Sequence, residues 1–470
     1  MSLFKSTAWY TFGNLFSRFL GFILLPFYSN FLTTSDFGTY ALIMSAYSVF
    51  AAIYQGGLFS GFSKYFVEAE ENKKKDVFSS IFAFILLTSL CLSTLATVFQ
   101  SNIAYILLRS PNSGRLIFVA AWMLFSDTIF AVLLHLLKTK EQSGKVAYYT
   151  LASAIFNLLF NLIFVFYQRK GVEGILLAQL FSGAIVSSSM FPIIIENLRF
   201  RINTGFLKKV LIFSLPLLIG GIFSTLVDVA DRFILDRFLD VKSVGIYSFS
   251  YRIAMLMNVF VISFGTAWTP YFLRIYKNEN ALTSELFGKN FTKLLSVSLL
   301  IFLAVSLLIG DLFHFRLSGA PLFNGQYEPG IIIIPFVLVG YAFRGLIGFY
   351  SVYPYVSGKS YHFLISDSLA FVVNIILNFI MIPIWGILGA AIATMLSFAV
   401  GLLYLFFVSR GIKILYQKKE LVQIIASAAI IFFTAQLVNS LLLDIVLIIA
   451  FTIVIQRVLK IGTTVKAKAF

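Results

Sequence analysis

Charge is scarce in this sequence. Of its 470 residues only 12% are Asp, Glu, Lys or Arg, whereas a soluble domain carries about 25%. That shortage excludes a water-facing surface for most of the chain. Hydrophobic residues make up 59%, and the mean hydropathy of +0.93 requires lipid as the solvent for most side chains. Cysteine is nearly missing. The single one, Cys91, sits in an apolar run, so one chain can form neither a disulfide nor a thiolate zinc site, and a small buried hydrophobe is its expected role. Long polar connections are missing too; none between apolar runs exceeds about 20 residues. That argues against a membrane glycosyltransferase, polymerase or ligase, which holds its catalytic groups on a larger loop or domain. Gly358-Lys359-Ser360 has the look of a phosphate-binding loop's end, but Tyr353 stands where the earlier glycine belongs. Uphill movement would then draw on an ion gradient or the substrate's own gradient. No cofactor or metal is expected. Nor is a cleavable signal peptide, because the first apolar stretch is long and runs past Pro26. The net charge of +16 fits basic loops facing anionic lipid heads better than nucleic acid.

What is present is a series of apolar runs. They cover about 8–32, 38–62, 77–99, 116–137, 146–167, 174–195, 209–234, 244–271, 291–312, 330–353, 362–384, 386–408, 421–440 and 442–457. A spanning helix needs about 20 apolar residues. The alternation that a closed barrel would need is absent, so helices are the expected solution. The reading is an all-α membrane protein of about fourteen transmembrane helices. Lysine and arginine set the orientation. Numbered alternately from the N-terminus, one set of connections holds 25 basic residues and the other seven. Both termini are therefore expected in the cytoplasm.

A repeat runs through the chain. Ser35-Asp36-Phe37-Gly38-Thr39-Tyr40 follows the first run, and Lys242-Ser243-Val244-Gly245-Ile246-Tyr247 follows the seventh. The fifth and eleventh runs both open near Gly-Lys, at Gly144-Lys145 and Gly358-Lys359. Both carry Asn at i and i+4, Asn157/Asn161 and Asn374/Asn378. Gly171/Gly174 and Gly386/Gly389 then open the next runs. An even number of spans separates the copies, so the halves share one orientation, as in parallel transporter repeats. The expected organisation is a six-helix bundle at 1–200, a second at 201–410, and two additional helices with a tail at 411–470.

Charges inside the runs are the functional candidates, because a lone charge at mid-membrane costs about 2.5–3.5 kcal/mol on insertion scales and faces a cavity or a partner. Arg18, Asp127 and Arg344 are central in the first, fourth and tenth runs. Thr11, Asn14, Arg18 and Gly21 form one polar stripe on the first helix; Ser214, Gly221, Ser224, Asp228 and Asp231 form another on the seventh. Asp228 and Arg232, at i and i+4, can pair locally. Arg252 lies at similar depth, and an ion-pair cluster that only locks helices together stays open for this group. Asp127 could partner an arginine or carry a proton. Asp367 and His362 are expected at a solvated helix end, and His135 and His314 as structural residues near span ends. Pro26, Pro192, Pro216, Pro335 and Pro383 can bend or cap spans.

With its fourteen runs, its six-plus-six repeat with two extra helices, and the Ser35–Tyr40 element after a polar first helix, the chain resembles the Wzx-type polysaccharide flippases of the MATE-like (MOP) exporter superfamily. The resemblance covers essentially the whole chain. It implies export of an undecaprenyl-diphosphate-linked oligosaccharide from the cytoplasmic to the periplasmic leaflet of a bacterial inner membrane. Membrane lipids, and a polysaccharide polymerase and a chain-length regulator, would be its company. It also implies a cationic central cavity. Arg18, Asn14, Arg344 and Arg252 become the substrate-binding candidates, with Asp127 and Asp228 as ion-coupling candidates. Arginine forks suit a diphosphate. Two rivals remain: a MATE-type drug or cation exporter, expected to have twelve spans and an anionic pocket, and a membrane enzyme or scaffold of envelope polysaccharide assembly.

Overall fold

A backbone in hydrocarbon must satisfy its own polar groups, and this chain does so almost entirely by helices. The computed structural model describes residues 21–199, 203–276, 280–317, 319–359, 361–411, 415–438 and 440–464. Residues 8–20 of the first run, with Thr11, Asn14 and Arg18, lie outside the described residues. The described part of α1 covers 21–31. There follow α2 (Thr34–Tyr54), α3 (Leu58–Glu68), α4 (Lys74–Val98), α5 (Gln100–Leu108), α6 (Gly114–Thr139), α7 (Ser143–Asn161) with a π-helical turn (Leu162–Tyr167), α8 (Gly171–Ser189) and α9 (Phe191–Asn197). The chain continues through α10 (Thr204–Phe238), α11 (Val241–Tyr276), α12 (Asn280–His314), α13 (Ile334–Tyr350), α14 (Val352–Val356), α15 (Tyr361–Val408), α16 (Lys418–Leu437) and α17 (Leu441–Thr464). A two-residue strand pair, Arg316–Leu317 with Ala320–Pro321, closes the loop after α12.

Twelve helices among the described residues are long and apolar enough to cross a membrane. The longest, α15, holds two of the expected spans. Gly386 breaks it with φ 57 and ψ −133, a combination suited to glycine. The arms return antiparallel: Ser366 Oγ donates to the Gly401 carbonyl, and a Cβ at Gly389 would meet the Met381 carbonyl oxygen at 2.3 Å. With the two arms of α15 counted separately, the twelve become thirteen, and these match the second to fourteenth expected runs; most of the first run lies outside the described residues.

The chain forms two compact units, 1–245 and 246–470. In the first, α6 packs against α4 and α8, α7 against α8, and α2 and α3 against α10. Gly56 and Gly57 break α2 from α3 with φ of 58 and 62. A Cβ at Gly57 would lie 2.7 Å from Leu218 Cβ, so the break also lets α10 approach. In the second unit, α13 packs against α15. There α16 and α17 pack on α12 through Leu303, Leu307, Ile424, Ile431, Phe451 and Ile455.

The repeated element turns out to touch its own copy. In α2, Thr33 and Asp36 form a reciprocal cap, with Asp36 N–H donating to Thr33 Oγ1 and Thr33 N–H to Asp36 Oδ2, each at 3.1 Å. In α11, Ser243 N–H donates to Asp240 Oδ1 at 2.7 Å. A Cβ at Gly38 would sit 1.9 Å from the Val241 carbonyl oxygen, and one at Gly245 would sit 1.8 Å from that of Thr34. Each glycine meets the residue four before its counterpart.

Candidate functional site

Along α6, Asp127 projects into the first unit, deep among the helices yet with part of its surface open. Its Oδ2 accepts from Tyr47 Oη of α2 at 2.6 Å and from Gln179 Nε2 of α8 at 3.2 Å. Gln179 Oε1 in turn accepts from Asn157 Nδ2 of α7 at 2.9 Å. Asn161, buried one turn further on, donates through Nδ2 to the Asn157 backbone carbonyl at 2.8 Å and to Asn157 Oδ1 at 3.1 Å. Asn161 Oδ1 accepts from the Tyr28 hydroxyl of α1 at 2.8 Å. A continuous chain thus joins five helices. The approach of α8 depends on Gly183: a Cβ there would lie 2.8 Å from both Asp127 Oδ1 and Ser126 Oγ.

The second unit repeats the asparagine step. Asn378 Nδ2 donates to the Asn374 backbone carbonyl at 2.8 Å and to its Oδ1 at 2.9 Å. The glycines flanking the two steps also match, with φ of 55 at Gly171 and 57 at Gly386. The endings differ. Asn374 Nδ2 reaches Thr394 Oγ1 and Ser397 Oγ, at 3.3 and 3.4 Å, where the first unit has an amide leading to a carboxylate. Tyr341 there donates to the Tyr251 hydroxyl at 3.1 Å.

The other candidates fall as follows. Arg18 and Asn14 lie outside the described residues. Arg344, on α13, is partly buried with its guanidinium 5.3 Å from the Phe398 ring centre, a cation–π arrangement. Arg252 is partly buried on α11. On α10, the Arg232 guanidinium pairs with the Asp231 carboxylate at 3.0 Å and also donates to the Asp228 backbone carbonyl. His362 is hydrogen-bonded to Tyr404 at 2.6 Å, and His135 to Ser63 at 2.8 Å while stacked on Phe59. His314 lies 3.9 Å from Glu328 and is exposed. Sequence reasoning singles out Asp127, Asn157 and Asn161 separately; the structure brings them together. Tyr28, Tyr47 and Gln179 it misses. Gln179 alone carried a usable signal, as an amide inside an apolar run.

Comparison with known proteins adds a family. The sequence profile of the polysaccharide biosynthesis protein family matches residues 3–276, more than half of the chain. The chain belongs to that family. This polysaccharide biosynthesis family member is 24% identical over 308 residues to an uncharacterized membrane protein of Haemophilus influenzae, covering 63% of this chain and 72% of that one. Its fold is similar to that of the lipid II flippase MurJ in an inward closed conformation. That match has a TM-score of 0.78 and 18% identity, over 98% of this chain and 99% of that one. It is also similar to an inward-facing multidrug resistance MATE transporter of the MOP superfamily. There the TM-score is 0.65 with 16% identity, over 84% of this chain and 95% of that one. The family member is thus a multi-pass membrane protein with the fold of flippases and transporters.

Proposed function

We propose that the protein is a flippase for a lipid-linked oligosaccharide. It carries undecaprenyl-diphosphate-linked repeat units from the cytoplasmic to the periplasmic leaflet by alternating access. The observation that carries this reading is family membership over residues 3–276 on a chain whose whole length fits a flippase fold. Arg344 supports it, because a guanidinium held at mid-span over Phe398 suits an anionic diphosphate better than a cationic drug. Arg18, Asn14 and Arg252 are the further substrate contacts. Coupling runs through an ion gradient at Asp127. Asp228 ranks second, because its turn already houses the Asp231–Arg232 pair. The protein sits in a bacterial inner membrane with both termini cytoplasmic, among lipids and the polymerase and chain-length regulator of its pathway.

Complementation of a translocase-null strain tests this, with surface polysaccharide and membrane abundance scored together. The parent chain restores polysaccharide. Arg18→Gln and Arg344→Gln reach the membrane normally but lose about ten-fold or more of the activity, as expected for one charge-assisted contact, and the Lys variants lose less. Gln variants of normal abundance and full activity would remove the cationic-cavity part of the reading. Extrusion of cationic dyes with no polysaccharide restored would favour a drug exporter.

A further inference from the structure

We infer that the ion taken up at Asp127 is a proton and not sodium. The inference rests on the ion-coupling reading above and goes beyond it to the identity of the ion.

The argument begins at a backbone carbonyl, which can only accept. The Asn157 carbonyl oxygen lies 2.8 Å from the Asn161 side-chain amide, so the nitrogen of that amide must face it. Asn161 Oδ1 is thereby turned to the Tyr28 hydroxyl, which must donate. Asn161 Nδ2 also reaches the Asn157 side chain, at 3.1 Å, and this places Asn157 Oδ1 on that side and Asn157 Nδ2 toward Gln179. Gln179 accepts through Oε1 at 2.9 Å and so presents Nε2 to Asp127. The second donor to the same carboxylate oxygen is the Tyr47 hydroxyl, at 2.6 Å. Every link points its hydrogen toward Asp127, and aligned links of this kind strengthen one another.

Sodium is a hard cation, and hard cations are held by shells of oxygen ligands, about six to eight for calcium and six for magnesium. At Asp127 the groups aimed at the carboxylate offer hydrogens. Gln179 cannot turn its oxygen inward without placing two amide nitrogens face to face at Asn157. Asn157 cannot turn without doing the same at Asn161, and Asn161 is held by the backbone. A proton needs no such shell. Asp127 Oδ1 is left for it, against Gly183 and near Ser126 Oγ, which is buried with no hydrogen-bond partner among the described residues. Tyr47, with Tyr40 behind it, is the titratable neighbour from α2; α8 contributes the neutral Gln179.

The test is infrared difference spectroscopy on the purified full-length protein. Spectra are taken on lowering the pH, and separately on adding sodium chloride at constant pH against choline chloride. The expected result is a protonated-carboxyl band that grows with acid, is missing in Asp127→Asn, and does not respond to sodium. Gln179→Leu removes one donor to the carboxylate, and the same band then appears at a proton concentration about ten- to a hundred-fold lower. Asn157→Asp still accepts from Asn161 but no longer donates to Gln179. That variant frees Gln179 to turn, and it should gain a sodium response. Sodium that perturbs the Asp127 band in the parent and competes with protons overturns the inference, as does the absence of any Asp127-dependent band at every pH at which the protein stays folded. The wider reading fails separately. If Asp127→Asn transports with unchanged dependence on the proton gradient, Asp127 is not the coupling group, whatever the spectra show.

Discussion

A glycine can matter through what its missing carbon would strike. Gly38 and Gly245 each face a carbonyl oxygen of the partner helix at a distance no Cβ tolerates. Gly144 has nothing within 4 Å of its notional Cβ. Gly38→Ala and Gly245→Ala should each lower stability by about 1–3 kcal/mol, the usual range for forced overpacking. Gly144→Ala should leave it within experimental error. Thermal melting of the three detergent-purified variants against the parent decides this. Equal melting of Gly38→Ala and Gly144→Ala would mean the helices separate at no cost and that the crossing is not a tight one. At Gly183 the atoms in the way are side-chain oxygens, so a side chain there would have to displace Asp127 and Ser126.

At the level of the helix, the starts are specified more tightly than the middles. Asp240 caps α11, and hydrogen bonds from the Ser243 backbone and then its hydroxyl hold the Asp240 carboxyl below the usual carboxylate range. A carboxyl held low in the folded state contributes stability above its unfolded value of about 3.9, and loses that contribution as pH falls through the folded value. Asp240→Ala should therefore cost about 1 kcal/mol at neutral pH, the usual worth of an N-cap. The gap in melting temperature between parent and variant should narrow as the buffer is taken from pH 7 toward pH 3. A gap that widens in acid contradicts the cap. The α16–α17 pair is positioned in a different way. A Cβ at Gly288 of α12 would lie 2.0 Å from the Leu415 carbonyl oxygen, and Tyr416 hydrogen-bonds Tyr350 at 2.7 Å. The linker is thus laid directly on the second unit before α16 begins.

For the whole chain, the uneven division of basic residues gives a topology that can be measured. Reporter fusions after Lys74, Lys208 and Lys418 should score cytoplasmic, and fusions after Asn112, Gly171 and Asn324 should score on the opposite side. If Asn112 and Lys208 score alike, the span count fails, and the parallel repeat fails with it. The break at Gly386 divides the 48 residues of α15 into two arms, each of which counts as a span in that topology.

The sequence alone determined the class, a helical multi-pass membrane protein, and the existence of a repeat. Lipid as solvent leaves few backbone solutions, so apolar run length suffices for the class. It also showed that Asp127 was unusual, because a carboxylate in an apolar run must have a reason. What it could not supply were the partners. Tyr28, Asn157, Gln179 and Asp127 stand on four different helices, and only the packing of those helices turns the four side chains toward one another. Asp36 and Gly38 read as a signature, yet only the fold shows a cap and a helix crossing there. The direction of the hydrogen-bond chain also belongs to tertiary structure. It is fixed by one backbone carbonyl, that of Asn157, and carried to Asp127 by side chains far apart in the sequence.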